Sequence, residues 1–455
     1  MAKIKISYTC QNCGYISSKW LGRCPECDSW NSLVEEVVTP SLYRSSVGSF
    51  AKNKPQSIND IQFLQTVRFG TGIGEFDRVL GGGIVSGSLI LLGGDPGIGK
   101  STLLLDVCMK LSQKGKKVLY VSGEESATQT KLRADRLGNS SNSLLIMTET
   151  DLGSVLLESD NAKPELLVID SIQTMHNSEL PTVAGSVGQI RECTGKLLRF
   201  AKENNVAVVI IGHVTKDGAI AGPRLLEHMV DVVLQFEGER SYAFRLLRAL
   251  KNRFGSTSET GIFSMQESGL LEVNNPAGIF LEDREEEVPG SVICACMEGV
   301  RPMLVEVQAL VAPTPYGMPR RTSVGVDYNR VNMLLAILEK KLGIEMGTQD
   351  AYVNVVGGFK ISEPAADLAI AVALVSSYAN TSIAKNTVIF GEVGLTGEIR
   401  RVSASSRRIK EAANLGFKKF VTPVSDEYES IKKERGEIMA VRNLKEVFGT
   451  LKLKI

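Results

Sequence analysis

Eight consecutive residues have the types and spacing needed to hold a polyphosphate: Gly94, Asp95, Pro96, Gly97, Ile98, Gly99, Lys100 and Ser101, with Thr102 following. They satisfy G-x-x-x-x-G-K-[ST]. Glycines let successive backbone N–H groups curl around the β- and γ-phosphates of a nucleotide such as ATP. Lys100 neutralises phosphate charge, and the Ser101 hydroxyl is placed to ligate Mg2+. In "SLILLGGDPGIGKSTLLLDVCMKL" the motif lies between a strand expected at 88–92 and an amphipathic helix, the context that the chemistry requires.

Other polar groups follow at strand ends. The buried-strand pattern "ELLVIDS" ends in Asp170, a carboxylate suited to holding a magnesium water shell. "KKVLYVSGEES" ends at Glu124-Glu125, where a carboxylate can polarise an attacking water; Glu124 is the first choice and Glu125 the second. "NVAVVIIGHVTKDG" ends at His213, placed to sense a γ-phosphate. A second constellation lies near the N-terminus. Cys10-x-x-Cys13 and Cys24-x-x-Cys27 offer four thiolates to one tetrahedral ion, which points to Zn2+. So short a segment buries little core, and ligation would supply most of its folding free energy. Trp20 and Trp30 are expected to cover the site.

These residues must be positioned by more than one domain. At 455 residues the chain suggests two or three, and a net charge of +1 advertises no bulk polyanion surface. The N-terminus has no apolar signal-peptide core, no run approaches a membrane span, and a cytoplasmic location without membrane contact is expected. Cys108, Cys193, Cys294 and Cys296 are scattered and read as small core residues. Residues 1–36 form the expected C4 ribbon, and 37–60, without periodicity, a linker. An α/β nucleotide domain is expected over 61–272. An acidic run and Pro289 then mark a change to an α+β domain over 273–455.

"TGIGEFDRVLGGGIVSGSLILLGGDPGIGKST" resembles the start of RecA-like P-loop NTPase cores. Such engines need a positive charge supplied by a neighbouring subunit. "RLLRALKNRFGSTSE" offers Lys251 and Arg253 within Lys251-Asn252-Arg253-Phe254-Gly255. Zinc ribbon, RecA-type core and KNRFG in that order closely resemble the bacterial RadA (Sms) family of DNA-recombination and repair ATPases over essentially the whole chain. The resemblance implies a hexameric ATPase stimulated by DNA. It would move on single-stranded and branched DNA and extend recombination branches beside a recombinase of the RecA type. It also implies that Lys251 and Arg253 reach a neighbour's nucleotide. In the loop "HVTKDGAIAGPRLLEHM", Lys216 and Arg224 are candidate contacts to the DNA backbone.

In the last domain, "EPAADLAIAVALVSS" and "GEVGLTGEIRRV" resemble the proteolytic domain of Lon-type proteases, which uses a Ser–Lys dyad. The resemblance places Ala365 at the serine position and Ser406 near the lysine position, so the loop is expected to keep a catalytic shape without a catalyst. A hexameric scaffold is expected instead. Basic residues at Arg320-Arg321 and in the segment opened by Arg400 are candidates to track phosphates. Two rival readings are a Lon-like ATP-dependent protease, disfavoured by Ala365, and a KaiC-like regulatory ATPase that binds proteins rather than DNA.

Overall fold

The computed structural model describes residues 5–10, 15–26, 28, 30–38, 68–138, 141–212, 224–238, 244–266, 269–273, 287–315, 317–426, 428 and 436–453. Two compact units divide the chain, Met1–Val273 and Asn274–Ile455.

At the start of the first unit, β1 (Lys5–Cys10), β2 (Ile16–Ser17) and β3 (Leu33–Val38) form an antiparallel sheet in the order β2-β1-β3. A hairpin of β4 (Arg68–Phe69) and β5 (Ile84–Val85) encloses helix α1 (Gly74–Leu80). The main sheet then runs through β6 (Leu89–Gly94), β7 (Val118–Ser122), β8 (Leu144–Thr148), β9 (Leu166–Asp170), β10 (Ala207–Ile211), β11 (Val232–Glu237), β12 (Phe244–Asn252), β13 (Thr260–Gln266) and β14 (Gly269–Glu272). Its order is β14-β13-β12-β11-β6-β10-β9-β7-β8. The six strands from β11 to β8 are parallel, and β12 to β14 extend the sheet antiparallel.

Strands buried on both faces read as unbroken apolar runs, and all residues of β6, β7, β9 and β10 are buried. Helices α2 (Lys100–Gln113), α3 (Ala127–Leu137), α4 (Leu152–Ala162), α5 (Val187–Asn204) and α6 (Arg224–Met229) connect the strands. Two apolar cores result: Leu104, Val107, Cys108 and Leu111 of α2 pack into one, and Ile190, Cys193, Leu197 and Phe200 of α5 into the other. Ligands of such sheets bind beyond the carboxyl ends of the parallel strands, where Gly94, Glu124 and Asp170 lie.

The second unit is a seven-stranded mixed sheet of β15 (Ser291–Glu298), β16 (Arg301–Pro313), β17 (Arg321–Val324), β18 (Gln349–Val355), β19 (Thr387–Ile389), β22 (Lys419–Pro423) and β23 (Glu437–Val441). The order is β17-β18-β16-β15-β19-β22-β23, and β20 (Glu392–Val393) pairs with β21 (Ile399–Arg400) as a separate hairpin. Helices α7 (Tyr328–Leu342), α8 (Asp367–Tyr378), α9 (Ser405–Asn414) and α10 (Leu444–Thr450) complete it. Helix α8 is buried from Asp367 to Ser376, which explains a sequence apolar on every side. Cys108, Cys193, Cys294 and Cys296 are all buried, as their scatter implies. Among the described residues no helix is long and apolar enough to cross a membrane.

Candidate active site

Strand β6 delivers its last residue, Gly94, into the turn that opens α2. Gly94, Gly97 and Gly99 have φ of 152°, 79° and 114°, where L side chains are strained. A Cβ on Gly94 would also lie 2.5 Å from the Phe236 carbonyl oxygen. Helix α2 begins after Gly99 with no side-chain cap, so its first N–H groups remain available to an anion. Lys100 is only 4% exposed, and its Nζ donates to the loop's own carbonyls, Gly94 O at 2.7 Å and Asp95 O at 2.9 Å. Burial pushes this ammonium below its ordinary pKa, against the opposing pull of Asp170, Asp95 and Glu124. A buried cation facing several carboxylates, in a cradle of strained glycines, fits a triphosphate with its divalent cation.

The carboxylates come from neighbouring strands. Ser122, which ends β7, is level with Asp170, which ends β9, and Gly123 N donates to Asp170 O at 2.8 Å. The Tyr120 phenol donates to Asp170 Oδ2. Ser171, joined to Asp170 by a cis peptide, donates its hydroxyl to Glu124 Oε1 at 2.5 Å. Glu125 is drawn away instead: it pairs with Arg133, and its backbone N–H donates to Ser122 Oγ. Of the two glutamates, Glu124 therefore faces the loop.

The KNRFG residues lie at the opposite end of the strands from the phosphate loop. Antiparallel β12 runs back along β11, so Asn252 is level with Val232, which is level with Ile90 of β6. Along the strands that leaves about 15 Å between Arg253 and Gly94. Lys251 Nζ donates to the carbonyls of Glu227 at 2.6 Å and Val230 at 2.8 Å, closing the end of α6. Arg253 is 3.3 Å from Asp231, a carboxylate buried to 2% exposure that also accepts from Lys202 at 2.7 Å and Leu89 N at 3.1 Å. Arg68 donates to the carbonyls of Gly81 and Phe254 and ties this loop to the hairpin before β6. Neither Lys251 nor Arg253 reaches its own subunit's phosphate loop.

In the ribbon, Cys10 and Cys24 are fully buried, and each opens a turn closed by a backbone hydrogen bond, Cys10 N to Tyr15 O and Asp28 N to Cys24 O. Among the described residues, their one buried apolar companion is Leu33. Two thiols with so little cover suit metal ligation better than packing. Cys13 and Cys27 lie outside the described residues, as do His213 and Lys216. Arg224 opens α6. The expected tryptophan cover is not observed: Trp20 and Trp30 are 55% and 72% exposed. Trp20 instead donates to Leu33 O at 3.2 Å, and Arg23 stacks over Trp30.

In the second unit Ala365 is buried at the mouth of α8, and its carbonyl accepts from Gly391 N at 2.7 Å. Arg408 of α9 is bonded to this loop. Fully buried, its Nη1 and Nη2 each donate to Glu363 at 2.7 Å, and Nη1 also donates to Ala295 O at 2.6 Å. The basic segment is correspondingly less free than its composition suggests. Arg408 is buried, Arg400 pairs with Glu398 at 2.6 Å and Arg401 with Asp426 at 3.1 Å. Arg320 is exposed, and its backbone N–H donates to Asp350 at 2.7 Å.

The parallel sheet, phosphate loop and strand-end carboxylates define a RecA-like P-loop ATPase, an ATP-hydrolysing enzyme. The AAA domain family matches residues 58–219, the rubredoxin metal binding domain 8–35, and subunit ChlI of Mg-chelatase 316–426. DNA repair protein RadA of Bacillus subtilis (strain 168) is 52% identical over 454 residues, 99% of each chain. The RadA proteins of Halalkalibacterium halodurans and Listeria monocytogenes are 55% and 53% identical, over 93% and 94% of each chain. Among solved structures, the KaiC-like protein PH0186 from Pyrococcus horikoshii OT3 is 22% identical, covering 46% of this chain and 99% of that chain, with a TM-score of 0.39. The chain belongs to the RadA family of DNA repair proteins.

Proposed function

We propose that the protein is a DNA-stimulated ATPase that assembles as a homohexameric ring, translocates on single-stranded DNA and extends recombination branches beside a recombinase of the RecA type. The observation that carries this reading is the placement of Lys251 and Arg253 at the end of the strands opposite their own phosphate loop. Cations there are out of reach of their own subunit's nucleotide, which supports a site completed by a neighbouring subunit.

Within one subunit, Gly94 to Ser101 and Thr102 bind the triphosphate, with Lys100 moving from the loop carbonyls to the phosphates. Ser101 and Asp170 would hold Mg2+, which neutralises developing phosphate charge when bound. Glu124 orients the attacking water and accepts its proton, with Ser171 fixing one carboxylate oxygen. His213 reports the γ-phosphate to the loop that carries Lys216 and Arg224, and these contact DNA together with Arg320 and Arg400. Cys10, Cys13, Cys24 and Cys27 would hold Zn2+ in the ribbon. The domain plan of ribbon 1–36, linker 37–60, ATPase 61–272 and scaffold 273–455, and a cytoplasmic location, belong to the same reading. Peptidase chemistry is disfavoured, because Ala365 carries no nucleophile and Arg408 is spent on Glu363.

Steady-state ATP hydrolysis with and without single-stranded DNA, on wild type and Lys100→Ala, tests it. Stimulation by DNA that vanishes in the variant supports a DNA motor. Turnover indifferent to DNA overturns it.

A further inference from the structure

Beneath the nucleotide site a phenol stands in an otherwise apolar layer. Tyr120, in the middle of β7, is 1% exposed and packs in the core formed by Leu104, Val107, Cys108 and Leu111 of α2. A hydroxyl taken from water into such surroundings costs free energy unless it finds a partner, and phenylalanine would fill the same space without that cost. The partner is Asp170: β7 and β9 are adjacent and parallel, and the phenol donates to Asp170 Oδ2.

Resting on the reading of Asp170 as the carboxylate that holds the divalent cation, we propose that Tyr120 is a positioning residue that fixes the orientation of this carboxylate. A terminal carboxylate turns easily about its last torsion. With Oδ2 held by the phenol, Oδ1 is left for the cation. The same phenol packs on α2, which the phosphate loop opens, so it ties loop and carboxylate to one another through a single rigid ring.

The test compares full-length wild type, Tyr120→Phe and Asp170→Asn. Phenylalanine keeps the ring and its packing while removing only the donor. Two quantities are read: Mn2+ affinity in the presence of ADP, from the electron paramagnetic resonance signal of free Mn2+, and the Mg2+ concentration at half-maximal ATP turnover. Losing a buried hydrogen bond to a charged group typically weakens what it supports by about tenfold. Both midpoints in Tyr120→Phe are therefore expected to rise about tenfold, with turnover at saturating Mg2+ falling much less and the melting temperature without nucleotide near that of wild type. A merely structural tyrosine would shift the melting temperature and leave both midpoints where they were, which overturns the proposal. Asp170→Asn separates the two readings: if it retains turnover and Mn2+ affinity, Asp170 itself is misassigned, and the role of Tyr120 falls with it.

Discussion

Arg408→Met is the sharpest test of the claim that the Ala365 loop is kept as architecture. The guanidinium is fully buried and makes two 2.7 Å bonds to Glu363, one of 2.6 Å to Ala295 O and one of 3.0 Å to Ser403 O. Burial works against its charge, but the hydrogen bonds and charge of Glu363 hold its pKa above the ordinary value. Removing one partner of such a pair typically costs about 3–5 kcal/mol, since the other charge is left without compensation. For a unit of this size that corresponds to a fall in melting temperature of about 6–20 °C. Calorimetry of the full chain can isolate the transition: ADP with Mg2+ raises only the melting of the unit that binds it, and the one that does not move belongs to Asn274–Ile455. Glu363→Gln combined with Arg408→Met should cost less than the two singles together, because the double variant leaves no charge stranded. A loss below about 1 kcal/mol for Arg408→Met, the value of an ordinary surface pair, would refute the reasoning.

Lys100→Met should abolish turnover and the thermal shift caused by ATP, yet melt at or above wild type without nucleotide near pH 7. Because the folded-state pKa of Lys100 lies below 10.5, the unfolded chain holds its proton more tightly between those two values. Raising the pH through that window stabilises wild type, and the gap between the two proteins should close toward pH 10.5; a constant gap across thermal melts from pH 7 to 10.5 would contradict it. Gly123→Ala places a Cβ 2.1 Å from Thr174 Oγ1 beside the Glu124–Asp170 pair. The expected loss is about 1–3 kcal/mol together with most of the turnover, and an active variant of wild-type stability in urea titrations would count against the site's geometry. Cys24→Ser should lower bound zinc, measured by elemental analysis, below one ion per chain while leaving the ADP-sensitive transition unchanged.

The nucleotide site was readable because its chemistry is local. Gly94 to Ser101 form one turn, and Asp170 and Glu124 each close or follow a strand whose apolar run announces its end. Tyr120 and Ser171 carried no such signal. Their roles exist only because β7 lies beside β9, and the alternation within "VLYVS" does not say which strand will be the neighbour. Trp20 and Trp30 misled for a related reason. An aromatic near a metal knuckle can pack over it or present its face outward, and hydrogen bonding at Leu33 O and stacking under Arg23 favoured the second.

The KNRFG stretch shows where motif recognition ends and topology begins. As a string it carries two cations, but which nucleotide they could serve depends on the direction of β12. Had β12 run parallel to β11, Arg253 would have emerged beside Gly94 and completed the site within one subunit. Running antiparallel, it returns the pair to the start of β6, where the buried Asp231 carboxylate joins Arg253 to Leu89, the first residue of the strand that carries the phosphate loop.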